Sequence, residues 1–247
     1  MSQFAHDKIV PFKESALTKK QQVAQMFNNI AFRYDFLNRF LTAGVDVWWR
    51  KKTILSLKSI HPQTVLDVAT GTGDVALLTY KLLKPKGVIG IDISDAMLEL
   101  GRVKISKANL QNIIQLQNGD SEHLPFPDAS FDAVTVAFGV RNFERLERGL
   151  SEMLRVLKPG GKLAVLEFSQ PKNKLFRTFC NFYNNVIVPG AGRLFAKNKD
   201  AYNYLNHSAK AFPEREEFAS ILADVGYKNV SFKPLSLGIC CRYVGSK

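Results

Sequence analysis

The 247-residue sequence predicts an α/β protein: a seven-stranded sheet, parallel except for a C-terminal antiparallel hairpin, beneath an N-terminal helical lid. Three observations predict it. The stretch Thr64-Val65-Leu66-Asp67-Val68-Ala69-Thr70-Gly71-Thr72-Gly73-Asp74 is a β-branched apolar run that ends in glycines and leads into the apolar-rich 75–83. It reads as a buried parallel strand whose Gly-rich turn opens a helix with free N–H groups. Strand-like and helix-like runs then alternate, which implies right-handed crossovers and a parallel sheet. The last two apolar runs, Asn229–Pro234 and Gly238–Val244, are joined by a turn too short for a parallel crossover, so the chain ends in an antiparallel pair.

In chain order, residues 1–17 read as a poorly ordered tail. From Thr18, apolar Val23, Met26, Phe27 and Ile30 recur at helical spacing, followed by Phe36, Leu37, Phe40 and Leu41, with Gly44 as a stop. A further helix is expected from Asp46 as N-cap through Trp48, Trp49, Ile54 and Leu57. Lying before the first strand, these helices can cover its ligand end, so 1–60 is expected to be a helical cap; their aromatics suit ordinary packing and substrate contact alike. After the first strand and helix come a strand Gly87–Asp92, a helix from Ser94 to Ala108 and strands Ile113–Asn118 and Phe131–Phe138. A helix Glu144–Leu157 and a strand Gly161–Phe168 follow. Phe212-Pro213-Glu214 opens a last helix to Val225, with proline near its first turn. Between them, Gln170–Ala211 is long for a plain connection. It is rich in aromatic and basic residues (Phe176, Phe179, Phe182, Tyr183, Phe195, Tyr202 and Tyr204 among Arg177, Arg193, Lys197 and Lys199), which suits a substrate-covering insertion.

Composition narrows the class. With 46% apolar residues, the chain can build a sizeable core. No run of about 18 apolar residues appears, and the first residues are polar rather than charged-then-apolar, so a cytoplasmic location is expected. Cys180, Cys240 and Cys241 have no metal or redox spacing and read as small buried hydrophobes; His6, His61, His123 and His207 are scattered, so no metal is expected. The net charge of +12 is uneven. Residues 1–60 carry ten Lys/Arg against four Asp/Glu and 170–199 six against none, whereas 61–169 carry twelve against thirteen. The excess is either solvated surface or a basic face toward anionic lipid or nucleic acid.

The pattern Gly71-x-Gly73-x-x-Ala76, with Asp92 some 20 residues on, fits a dinucleotide site and other nucleoside cofactors equally. Joined to Asp67 at the strand end, Asp92 closing Gly87-Val88-Ile89-Gly90-Ile91-Asp92, and Leu157-Lys158-Pro159-Gly160-Gly161-Lys162-Leu163, it resembles the class I S-adenosylmethionine-dependent methyltransferases, whose Rossmann-like sheet has seven strands. The resemblance narrows further over Met26-Phe27-Asn28-Asn29-Ile30-Ala31-Phe32-Arg33-Tyr34-Asp35-Phe36-Leu37-Asn38, Gly44-Val45-Asp46-Val47-Trp48-Trp49-Arg50-Lys51, Phe138-Gly139-Val140-Arg141-Asn142 and Leu166-Glu167-Phe168-Ser169-Gln170-Pro171. These are similar to the quinone-ring C-methyltransferases of menaquinone and ubiquinone biosynthesis, over nearly all of the chain after about the first fifteen residues.

The resemblance implies a methyltransferase domain over 61–247, S-adenosylmethionine as methyl donor, and a polyprenyl quinol substrate, demethylmenaquinol first and the ubiquinone-pathway 2-methoxy-6-polyprenyl-1,4-benzoquinol second. It implies that Asp67, Gly71, Thr72 and Gly73 serve the methionine end, Asp92 the ribose, and Asp120 and Ser121 the adenine. Asp120 is also explained by turn chemistry after a strand. For catalysis it implies Arg141, Asn142 and Tyr34: Arg141 to stabilise a phenolate, Asn142 to orient a hydroxyl or water, Tyr34 to bond a ring oxygen. Each has a plainer alternative: a structural ion pair for Arg141, a helix cap at Phe143 for Asn142, a core aromatic for Tyr34. The chain departs from common superfamily patterns at Ala69, where glycine is frequent, and at Ala137, where some relatives carry serine. A bilayer-resident substrate implies peripheral attachment to an anionic membrane surface at the inner face of the cytoplasmic membrane, and no nucleic acid. A homodimer and a monomer are both compatible with the sequence. Outside this class stand an RNA methyltransferase, which the basic charge suits, and a non-catalytic binding protein.

Overall fold

The computed structural model describes residues 4–174, Thr178 and 199–247. The rest of the basic, aromatic insertion expected at 170–211, with Cys180, Phe176, Phe179, Phe182, Tyr183, Phe195, Arg177, Arg193 and Lys197, lies outside the described residues, as do the side chains of Lys199 and Tyr202.

Seven strands form one sheet: β1 (Thr64–Val68), β2 (Gly87–Asp92), β3 (Ile114–Asn118), β4 (Phe131–Ala137), β5 (Leu157–Phe168), β6 (Lys228–Leu235) and β7 (Cys240–Ser246). Their order is β3-β2-β1-β4-β5-β7-β6, and only the pairings of β7 are antiparallel. The order reverses between β1 and β4, and at that point the crevice at the strands' carboxyl ends forms the ligand site of open α/β sheets. The described helices are α1 (Lys19–Leu41), α2 (Val45–Leu55), α3 (Asp74–Leu83), α4 (Asp95–Lys107), α5 (Leu146–Val156), α6 (Lys199–Ala211) and α7 (Glu216–Val225).

Local chemistry explains most boundaries. Thr18 accepts from Gln21 N while the Gln21 side chain returns to Thr18 N, a capping box that starts α1. Ser94 caps α4 by accepting from Met97 N. Val65, Leu66 and Val68 are fully buried, as a strand covered on both faces requires. Cys240 and Cys241, adjacent on β7, face opposite sides of the sheet and join different clusters of the core, in keeping with packing residues.

Three expectations need correction. Residues 4–12 are packed: His6 is fully buried, its ring and that of Phe212 meet edge-on with centroids 5.0 Å apart, Ile9 and Phe12 pack against α1, and Lys19 Nζ donates to the His6 carbonyl at 3.0 Å. No local pattern announces this, because the anchoring residues are few and their partners distant in sequence. Gly44, at φ +76°, precedes α2 in the cap position, while Asp46 is a buried first-turn residue that accepts from Thr42 Oγ1. Strand β5 begins at Leu157, before Gly161, because the Pro-Gly-Gly stretch forms a bulge opposite Phe131 and Ala133. Helix α6 forms the last part of the expected insertion, and its Tyr204 packs with Val23, Met26 and Ile30 of α1.

Candidate active site

The carboxyl ends of β1, β2 and β4, with the loop after β3, bound an open cleft at the point where the strand order reverses. Helix α1 closes it with Phe27, Tyr34 and Asp35.

Asp67, at the foot of the glycine loop, is fully buried and does not line the cleft. Its two oxygens accept from Thr70 Oγ1 and Thr135 Oγ1, both at 2.6 Å, and burial pushes its carboxyl up to about 6. It therefore shapes the loop from below. Asp92, at the end of β2, lines the cleft and accepts from Gly71 N at 2.8 Å and Ser94 N at 2.9 Å. Burial raises its carboxyl, and those N–H bonds oppose the rise. A carboxylate offers about four acceptor sites, so hydrogen-bonding capacity remains on it for a further donor in the cleft.

Thr72 donates to Asp35 at 2.8 Å, and Lys104 Nζ reaches Asp35, Thr72 and Asp74 at 2.5, 2.8 and 2.6 Å. Arg50 of α2 and Arg39 of α1 also contact Asp74, at 3.1 and 3.2 Å. Burial would raise Asp74, but Lys104 and the two arginines outweigh it and lower the carboxyl. This network ties both cap helices to the start of α3. Gly73 sits just outside the cleft at φ +75°, leading into α3.

At the other end, Ser121 and Asp120 line the cleft, and Asp120 bonds Lys20 Nζ at 2.7 Å and Glu122 N at 2.9 Å. Asp120 thus organises its own turn and also faces the cleft. Tyr34 and Asn142 line the cleft as well. Asn142 lies in a short 3-10 turn, Val140–Asn142, rather than capping α5, which begins later at Leu146. Its Oδ1 accepts from Tyr204 OH at 3.1 Å.

Arg141 stands behind this wall. Its guanidinium is buried, donates to the Phe138 carbonyl at 2.8 Å and pairs with Glu167 at 2.6 Å. Glu167, fully buried on β5, is raised by desolvation, with Arg141 pulling the other way. The nearby phenols of Tyr34 and Tyr204 are both raised by burial in spite of Arg141.

Thus Tyr34, Gly71, Thr72, Asp92, Asp120, Ser121 and Asn142 meet at one cleft, whereas Asp67, Gly73 and Arg141 support its walls. Sequence reasoning missed Lys20, Asp35, Lys104 and Glu167, and had Tyr204 only among the insertion's aromatics. Asp35 and Glu167 stood inside the quoted motifs, beside Tyr34 and Phe168; the lysines carried no signal at all. Among the described residues no His, Cys, Asp and Glu cluster could hold a metal.

The fit to S-adenosylmethionine is testable on two features. Gly71 has φ +55° and open space where a Cβ would stand, so a ligand can approach the backbone there. The Asp92 carboxylate lies one hydrogen bond from that glycine, as a nucleoside ribose beside the loop requires. Both features fit.

Among solved structures, the chain is similar to the [4+2]-cyclase SpnF, with a TM-score of 0.66 and 15% identity over 92% of this chain and 96% of that one. It is equally similar to phosphoethanolamine N-methyltransferase 2 of Haemonchus contortus in complex with S-adenosyl-L-methionine: TM-score 0.66 and 15% identity, over 96% of this chain and 61% of that one. These likenesses concern the fold. A demethylmenaquinone methyltransferase of Bacteroides fragilis is 44% identical over 244 residues, 99% of both chains. A ubiquinone/menaquinone biosynthesis C-methyltransferase UbiE of Geobacter sulfurreducens is 43% identical over 94% of this chain and 91% of its own. The model of the ubiE/COQ5 methyltransferase family matches residues 15–247, and the chain belongs to that family.

Proposed function

We propose that the protein transfers a methyl group from S-adenosylmethionine to a ring carbon of demethylmenaquinol, giving menaquinol. The observation that carries this reading is the 44% identity, end to end, with a relative named for that reaction. The donor supplies an electrophilic methyl group on a sulfonium. Asp92 accepts from the ribose hydroxyls, Asp120 and Ser121 flank the adenine, and the loop of Gly71, Thr72 and Gly73, held from below by Asp67, receives the methionine end.

The ring carbon becomes a strong nucleophile when a neighbouring hydroxyl loses its proton, and a phenol near pKa 10 does so rarely at neutral pH. Asn142, anchored by Tyr204, orients the hydroxyl or a water that takes the proton; Tyr34 bonds a ring oxygen. Arg141 acts from one layer behind. Burial raises both phenols beside it and Arg141 opposes the rise, and a buried quinol is subject to the same two influences. The role of Arg141 is to offset the cost of a phenolate in a dry site.

A second reading, methylation of 2-methoxy-6-polyprenyl-1,4-benzoquinol in ubiquinone biosynthesis, is favoured by the Geobacter relative, whose name covers both pathways. Radiolabelled S-adenosylmethionine with demethylmenaquinol, the benzoquinol or bulk RNA separates the readings. Label is expected in menaquinol; label in RNA alone would overturn the proposal. Quinone profiling of a deletion strain, with demethylmenaquinone expected to accumulate, checks it in the cell.

The substrate's polyprenyl tail places it in a bilayer, and among the described residues no helix is long and apolar enough to cross one. The protein is therefore read as a peripheral partner of the inner face of the cytoplasmic membrane, held by the basic residues of 1–60 and 170–199. Each basic contact contributes about 1 kcal/mol near an anionic surface. Co-sedimentation should favour anionic over neutral vesicles and weaken with salt; equal binding to both would count against it.

A further inference from the structure

We propose that the outward face of α1 and α2 is a bilayer-docking surface, whose aromatic side chains enter the headgroup region of an anionic membrane. The inference rests on the membrane half of the reading above and deepens it by naming the surface.

Phe32, Phe36 and Phe40 recur at i, i+4 and i+8 and form one line along α1. They are 89, 58 and 51% exposed, while Phe27 and Tyr34 of the same helix line the cleft. The rings of Phe36 and Phe40 stack at 6.1 Å. Past the turn, Val45, Val47 and Trp48 are 39, 38 and 44% exposed. Six of the nine large exposed apolar side chains among the described residues thus fall within residues 32–48. Single exposed hydrophobics are ordinary, but a concentration of this kind marks a contact surface.

Charge selects the occupant. The one carboxylate of each helix is bonded inward, Asp35 to Thr72 and Lys104, Asp46 to Thr42 and Arg50. The exposed ionic side chains of residues 32–52 are therefore all cationic: Arg33, Arg39, Lys51 and Lys52. Arg39 keeps an exposed side chain while touching Asp74, and Lys52 Nζ lies 5.7 Å over the Trp48 ring. Aromatic rings at interfacial depth with cations at the phosphates is how amphipathic helices lie on anionic lipid. A second copy of this chain would bring one positive face against another, which like-charge repulsion disfavours. Helix α1 would then carry the bilayer on one side and the cleft for a bilayer-resident quinol on the other.

The full chain can be tested through its own fluorescence, because its two tryptophans are adjacent and differ in setting. Trp49 is 3% exposed and donates to Ser236 Oγ at 2.8 Å, leaving Trp48 as the reporter. With vesicles of phosphatidylcholine and phosphatidylglycerol carrying brominated acyl chains, wild-type emission should be quenched, and Trp48→Phe should abolish the quenching. Phe32→Ser with Trp48→Ser should weaken vesicle binding at least about tenfold, the scale of withdrawing one buried aromatic side chain. Thermal unfolding and affinity for S-adenosylmethionine should not change. Equal vesicle binding by the double variant, or quenching that survives Trp48→Phe, would overturn the proposal. So would a dimer that the double variant splits, with no vesicle binding by wild type. Methyl transfer to short-tailed demethylmenaquinol in detergent is measured in parallel: its absence from wild type would defeat the proposed function, while its persistence alongside unchanged vesicle binding would defeat this inference alone.

Discussion

Replacing Arg141 by alanine tests whether its charge serves the reaction or only the fold, and the structure makes the two separable. Nη1 stands 2.6 Å from Glu167 Oε1 with both side chains buried. At an effective dielectric constant of about 20, Coulomb attraction at that distance is on the order of 6 kcal/mol, and desolvating each ion costs several kcal/mol. The intact pair is thus near break-even, but removing one partner strands the other, at about 3–5 kcal/mol. In Arg141→Ala, Glu167 keeps the Phe168 N–H and loses its counter-charge. Its carboxyl, already raised by desolvation, must rise further. A carboxyl raised in the folded state binds its proton more tightly there than in the unfolded chain, so stability falls as pH rises between the two pKa values. The variant should therefore lose most stability at pH 8 and recover part of it at acid pH. Turnover should fall about 100-fold, the scale of losing one preorganised charge contact, with affinity for S-adenosylmethionine nearly unchanged. Raising pH should restore part of the turnover by ionising the quinol unaided. The double variant Arg141→Met, Glu167→Leu separates the roles, because an apolar replacement of a buried pair is often neutral or stabilising. Its thermal stability should return while turnover stays low. Calorimetry, thermal unfolding across pH and single-turnover rates check each part. A double variant that regains turnover, or an alanine variant with near wild-type rates at neutral pH, would refute a chemical role; loss of S-adenosylmethionine binding would move Arg141 to the donor site.

Asp92→Ala should weaken S-adenosylmethionine binding by about 1–3 kcal/mol in a folded protein, because the ribose loses a charged acceptor and Gly71 N its anchor; unchanged affinity by titration calorimetry would reject the assignment. Asp67→Asn should flatten the stability profile. Burial raises Asp67 from 3.8 to about 6, so the folded wild type loses on the order of 3 kcal/mol as pH climbs between those values, and the difference between the two proteins' unfolding curves should show it. Lys104→Met should leave Asp35 and Asp74 facing each other without their shared cation, loosening the cap and lowering donor affinity about tenfold or more, on the scale of 1.5–3 kcal/mol for a charged hydrogen bond. Protease cleavage within residues 19–41 that is no faster than in wild type would contradict this.

What could be read from the sequence was what neighbouring residues decide among themselves. The β1–glycine turn–α3 unit, the Ser94 cap and the antiparallel end follow from side-chain period, cap chemistry and connection length, all of which act within about a dozen residues. The grouping of Asp92 and Asp120 with the glycine loop was implied by the family resemblance, and the parallel sheet brings it about by setting successive strand ends along one edge. The network of Asp35, Thr72, Lys104 and Asp74 did not follow, since it joins α1, the loop, α4 and α3 across up to 69 positions. Nor did the placing of Arg141 behind the cleft. Its partner Glu167 lies 26 residues on, and they meet because β4 and β5 are adjacent and in register, Ala137 beside Leu166. The packed residues 4–12 are the clearest case: their mixed apolar and polar residues show no period to read, and they pack against Phe212 and Lys19, whose positions only the completed fold determines. Periodicity records which face of an element is buried; which distant charge waits on that face is set by strand order.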